Sequence, residues 1–218
     1  ERDEPRGRPL IVKALLTVFV LVFAGSVSYL GYYYFKSAQN RSAYQTLRDV
    51  YDTPTLIAPA GYPSGYSKDF AALWELNPDT VGWISIDGTA LDYPVVQTSD
   101  AAFYLTHNFK RQKAKAGTLF SLPSTDYRTP GKNIVIYGHH LSHRPNAMFS
   151  PLLNYKQAGY GRKHSKVLLD SIFRSNTYRV FAVVNWDIDG DWMPMQTSFS
   201  STEEFSAFVQ EAQRRSLY

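Results

Sequence analysis

The chain has 218 residues, 44% of them hydrophobic and 15% aromatic, a composition that supports a packed core and excludes a disordered or fibrous protein. It contains no cysteine, which excludes a disulfide framework. The formal net charge is +4, and over the globular part the two signs nearly balance, which excludes a nucleic-acid-binding surface.

The first element is apolar. From Ala14 to Phe35, "ALLTVFVLVFAGSVSYLGYYYF", no residue is charged, and a helix of that length crosses a hydrocarbon core of roughly 30 Å. Arg2, Arg6, Arg8 and Lys13 precede it, and Tyr32, Tyr33, Tyr34 and Phe35 form an aromatic girdle at its far end. The positive-inside rule then predicts a basic cytoplasmic tail over 1–13, a transmembrane signal anchor over 14–35 and an extracellular remainder, so the membrane itself is a partner. A cleaved signal peptide, cut near the small residues of Val22 to Ser26, is the competing reading. The uncharged run is longer than the usual 7–15-residue core of such peptides.

Arg41 to Tyr51 reads as a short polar helix. Pro54, Pro59, Gly61, Pro63 and Gly65 then break all periodicity, so residues 36–66 form a helix and linker, and the domain proper runs over 67–218. Phe70, Leu73 and Trp74 share one helical face, and Asn77-Pro78 stops that helix. Val81 to Ile86, a tight turn at Asp87-Gly88 and Ala90 to Val96 predict a hairpin, with Pro94 at an edge or bulge. The run Lys110 to Lys115 predicts a solvated loop, with a face toward anionic polymer or lipid as the weaker reading. Further strands are predicted at Gly117 to Leu122, Asn133 to Gly138, Lys166 to Asp170 and Thr177 to Trp186. A short helix carries Phe149, Leu152 and Leu153. A last helix opens on a capping box of Ser201 and Glu204 and shows a stripe of Phe205, Phe208, Val209 and Ala212. The order predicts a mainly β, antiparallel-rich domain with flanking helices.

The stretch "NIVIYGHHLSH" (Asn133 to His143) carries the chemistry. Side chains alternate along a strand, so Val135, Tyr137 and His139 share a face, and His139 sits at the strand's mouth. Three readings stay open. His139 is a hydrogen-bonded structural histidine; or His139, His140 and His143 hold a metal, although neighbouring strand residues point apart and no carboxylate lies in the motif; or His139 is the acid–base partner of a nucleophile delivered from elsewhere. No G-x-S-x-G elbow is present, and Ser121, Ser142 and Ser150 sit in unremarkable surroundings.

Taken together and in order, Leu76 to Gln97, "FYLTHNF" (Phe103 to Phe109), "GTLFSLPSTDYR" (Gly117 to Arg128), "NIVIYGHH" (Asn133 to His140), "MFSPLLNY" (Met148 to Tyr155) and Ser200 to Ser216 resemble the class B sortases. These are membrane-anchored cysteine transpeptidases of the Gram-positive cell surface, and the resemblance runs from the anchor to Tyr218. It implies a closed eight-stranded β-barrel with flanking helices, whose first six strands correspond to those above. The seventh, with the nucleophilic cysteine in a T-L-x-T-C pattern, and the eighth, with an arginine, are expected beyond Tyr218. On this resemblance His139 is catalytic, Leu105 and Tyr137 lie near the substrate groove, and no cofactor is needed. The implied reaction cleaves a sorting signal after threonine and joins the carried protein to an amine. The implied partners are sorting-signal-bearing surface proteins or pilins, and a peptidoglycan or pilin amine acceptor. Without its cysteine the sequence is expected to be inactive as it stands. A naturally truncated, non-catalytic remnant and a His-cluster metal hydrolase are the alternatives.

Overall fold

The computed structural model describes residues 10–218 apart from 54, 56 and 188, and the backbone alone over 36–41. Two compact units result, Glu1–Gln45 and Thr46–Tyr218. Residues 1–9 of the basic tail lie outside the described residues.

Helix α1 spans Leu10–Asp52. Its segment Leu10–Phe35 is 26 residues of apolar helix, about 39 Å at 1.5 Å per residue, long enough to cross a membrane. The helix expected at Arg41 to Tyr51 is not a separate element, because no glycine or proline stands between Phe35 and Asp52 to interrupt the turn-by-turn bonding.

In the second unit β1 (Thr80–Ser85) is central. It pairs antiparallel with β2 (Asp92–Val96) on one side and with β4 (Lys166–Ser171) on the other. β5 (Ser175–Arg179) continues antiparallel from β4, and the two-residue β3 (Leu119–Phe120) pairs parallel to β2, giving the order β3-β2-β1-β4-β5. The β1–β2 hairpin turns at Gly88, whose φ of +71° is a left-handed conformation that glycine adopts without strain. β3 pairs with Val95 and Val96 only, so Pro94, which has no N–H to donate, meets no ladder on that side.

Trp83, Val95, Val96, Leu91 and Leu119 form the core with Phe70 and with Leu73 of α2 (Ala71–Leu76). The end of α1 closes one face. Tyr51 stacks on Trp83 at 4.8 Å and donates from its hydroxyl to Asp170 at 2.6 Å, while Asp92 accepts from Trp83 Nε1 and from Arg48, both at 2.7 Å. The Pro/Gly stretch is irregular but anchored, with Tyr62 packed edge-on against Trp74 and Tyr66 against Phe173. Helix α3 (Ala158–Lys163) follows a 3₁₀ turn at Ser150–Lys156. Helix α4 (Thr202–Arg214) is capped as expected by Ser201, whose Oγ accepts from the Glu204 amide at 3.1 Å. The Glu204 carboxylate reaches back to Ser200 rather than to Ser201.

Among the described residues the sheet is not closed. The strand expected at Asn133 to Gly138 makes one isolated bridge, Tyr137 to Phe120, and of Thr177 to Trp186 only the part within β5 joins a ladder. An apolar run reports burial, whereas a strand needs a hydrogen-bonding neighbour. Both segments line an open trough of about 820 Å³, with Ile134, Ile136, Val167, Ala182 and Val184 facing it.

β1 tolerates no side chain at Gly82, where a Cβ would stand 2.6 Å from the Asp170 carbonyl oxygen of β4. Gly82→Ala is expected to destabilise the unit by about 1–3 kcal/mol. An unchanged denaturant midpoint would show that β1 and β4 are not packed this closely.

Candidate active site around His139

Segment 133–139 reaches the site through a narrow gap. The Tyr137 amide donates to the Phe120 carbonyl at 2.7 Å and the Phe120 amide to the Tyr137 carbonyl at 3.0 Å, with the two rings stacked at 5.4 Å. At Gly138 a Cβ would fall 2.3 Å from Leu119 Cδ2 and 2.7 Å from Phe149 Cδ2, so glycine passes without displacing either side chain. The next residue, His139, is half-buried. Its Nε2 donates to the Leu105 carbonyl at 2.7 Å, and its own carbonyl accepts from the Phe149 amide at 3.1 Å.

The Leu105 carbonyl comes from a 3₁₀ turn, Phe103–Leu105, at the start of a loop that returns at Gly117. The loop is fastened to the sheet by Tyr104, which is 1% exposed. The Tyr104 hydroxyl donates to Asp79 Oδ2 at 2.6 Å and accepts from Asn77 Nδ2 at 2.8 Å, and Asn77 also donates to the Phe109 carbonyl at 2.8 Å. Arg111 pairs with Asp79 from the solvent side and lies over the Phe103 ring. His107 also stacks on the Phe103 ring, at 4.0 Å.

The structure therefore brings the three residues singled out in the sequence into one neighbourhood. Leu105 gives His139 its hydrogen-bond acceptor and leaves its own side chain 39% exposed. Tyr137 stands two residues before His139, its hydroxyl directed at Met195 Sδ at 3.2 Å and its phenol pushed up from the ordinary value by burial. His140 turns instead to the trough and His143 is exposed. Among the described residues no three His, Cys, Asp or Glu side chains converge as metal ligands. Ser121 is buried against the Tyr127 hydroxyl at 2.8 Å, and Ser150 Oγ is held by the backbone of Leu141. Asn77, Asp79 and Tyr104 were not singled out by sequence reasoning, in which Asn77-Pro78 served only to stop a helix. The exposure of Lys110, Lys113 and Lys115 fits the solvated loop expected there.

No family model matches the chain. It is 30% identical to sortase B of Listeria monocytogenes over 211 residues, covering 94% of this chain and 81% of that protein. It is 26% identical to sortase B of Staphylococcus aureus over 207 residues, covering 95% and 80%. Among solved structures, a Staphylococcus aureus sortase B–substrate complex matches with a TM-score of 0.75 at 25% identity, over 84% of this chain and 82% of that one. A Bacillus anthracis structure described as similar to sortase B matches with a TM-score of 0.73 at 29% identity, over 83% and 82%.

Burial, and then the bond to Asp79, raise the Tyr104 phenol above its ordinary value. A tyrosine with a raised folded-state pKa contributes stability that is fully present below about pH 10. That stability is lost as pH climbs toward the folded value, because the unfolded chain releases a proton the folded one keeps. Unfolding free energy is expected to fall above about pH 10, and more shallowly by up to one proton in Tyr104→Phe. Denaturant titrations between pH 8 and 11 that run parallel for the two proteins would contradict this.

Proposed function

The chain belongs to the sortase B family, and from that premise we propose that His139 is the acid–base group of its transpeptidation. Sortases of this family are cysteine transpeptidases. A thiolate attacks the carbonyl carbon of the sorting-signal threonine, and the tetrahedral oxyanion collapses with cleavage of the C–N bond. The His139 imidazolium gives its proton to the departing amine, leaving a thioester and a neutral imidazole. An incoming amine then attacks the thioester, the imidazole takes up the amine's proton, and the thiolate is released. Residues 1–218 hold no thiol and do not carry out this attack by themselves.

The observation that carries the reading is the imidazole held at 2.7 Å by the Leu105 carbonyl, at the mouth of segment 133–139 and beside an exposed apolar side chain. In this proposal Leu105 and Tyr137 line the groove for the sorting signal, and the cysteine and an arginine lie on strands beyond Tyr218 that pair with the free edges at the trough. The backbone of residues 133–136, which makes no backbone hydrogen bond among the described residues, supports that placement. Residues 1–13 are taken as cytoplasmic, 14–35 as the membrane anchor and 67–218 as an extracellular catalytic domain. The apolar helix Leu10–Phe35 supports this, and a leader peptide of the same composition would be cleaved. The partners proposed are sorting-signal proteins or pilins and an amine of peptidoglycan or pilin; the substrate complex of the Staphylococcus aureus relative supports the first.

The test is a fusion after Tyr218 of the cysteine- and arginine-bearing strand pair of a class B sortase. Thiol-dependent cleavage of a threonine-containing sorting peptide is expected, with His139→Ala lowering kcat/KM by about 10²–10⁴-fold. A fusion whose His139→Ala variant is as active as its parent would remove His139 from the mechanism.

A further inference from the structure

We infer that Tyr104 is a positioning residue: anchored on Asn77 and Asp79, it holds the Leu105 carbonyl against His139 and fixes the imidazole proton on Nε2. Nδ1 is then the nitrogen that trades protons with the reacting groups. The inference rests on His139 being the acid–base group and names which of its two nitrogens works.

A carbonyl oxygen only accepts, so the 2.7 Å contact requires a hydrogen on Nε2 whether the ring is neutral or charged. The proton gained on charging the ring, and the one given back, therefore belong to Nδ1. The direction of the Leu105 carbonyl thus decides which nitrogen is offered. Leu105 cannot set that direction, because its own side chain is 39% exposed. Its neighbour Tyr104 is buried and tied at both ends. The Tyr104 carbonyl accepts from the Thr118 amide at 3.0 Å, and its hydroxyl is shared between Asp79 at 2.6 Å and Asn77 at 2.8 Å. Asn77 is itself fixed, donating to the Phe109 carbonyl at 2.8 Å and accepting from the Asp79 amide at 3.0 Å.

The opposite wall is Gly117, whose φ is +61°. A Cβ there would stand 2.5 Å from the Tyr104 oxygen, 3.0 Å from the Leu105 oxygen and 3.1 Å from His139 Cδ2, so this glycine packs against donor and acceptor at once. His164 gives the contrast within the same chain, since its Nδ1 donates to the Asp87 carbonyl at 2.8 Å and its neutral ring is the other tautomer.

The experiment is ¹⁵N NMR of the full chain in detergent with labelled histidine, reading the tautomer of each neutral ring and the visibility of its N–H proton. His139 is expected as the Nε2–H form with an observable proton, and His164 as the Nδ1–H form. In Tyr104→Phe and in Gly117→Ala the His139 tautomer ratio is expected to fall about fivefold, the effect of one ordinary hydrogen bond, with loss of the Nε2–H signal. His164 stays unchanged and reports that the fold holds. Asp79→Asn, a milder cut at the solvent end of the network, is expected to lower the ratio about twofold and carries the test if Tyr104→Phe does not fold. A wild-type His139 that is mainly Nδ1–H overturns the assignment. A ratio unmoved in the folded variants overturns the role of Tyr104. Neither outcome touches the functional reading, which falls only if the His139→Ala fusion keeps its activity.

Discussion

A side chain at position 138 would overlap the Leu119 and Phe149 side chains, so glycine lets segment 133–139 cross beside β3 without displacing either. Much of the site follows from that crossing. Because the backbone passes at this distance, Tyr137 reaches the Phe120 amide and carbonyl, and the next residue, His139, emerges next to the loop that begins at Phe103. The Leu105 carbonyl then lies within hydrogen-bond distance of the ring. A larger residue would have to displace the Leu119 and Phe149 side chains or segment 133–139 itself, the segment that carries the imidazole to its acceptor.

The sequence conveyed those parts of the fold that are written locally. Asp87-Gly88 between two apolar runs specifies a hairpin, since its geometry needs a residue at positive φ. Ser201 and Glu204 announce α4 because capping acts within four residues. Other features had no local signature. Asn77 reads as a helix stop, and its bond to Tyr104 joins residues 27 apart. Nothing in either residue type predicts the partner. The extended run 133–138 reads as a strand because its side chains are apolar, yet the ladder that defines a strand belongs to a second segment.

The same divide runs through the candidate site. His139 was legible from residue type and position, and the resemblance to a known family gave it a role. Its acceptor was not legible, because a main-chain oxygen is the same at every residue and only the fold decides which one meets the ring. Leu105 was singled out for its side chain, whereas the structure also uses its carbonyl. Tyr104, the buried member of the pair, is one of many aromatic residues in this chain, and only its depth and its two polar contacts distinguish it.

β3 is two residues long, and it is the only stretch that joins His139's own segment to the sheet by backbone bonds among the described residues. Phe120 faces β2 on one side and Tyr137 on the other, through two hydrogen bonds to the latter. A tether of that size can open at a small fraction of the cost of unfolding β1, β2 and β4, which share long ladders. The imidazole's segment is thus joined to the sheet by two backbone bonds, against ladders of five and four residue pairs in the core beneath it.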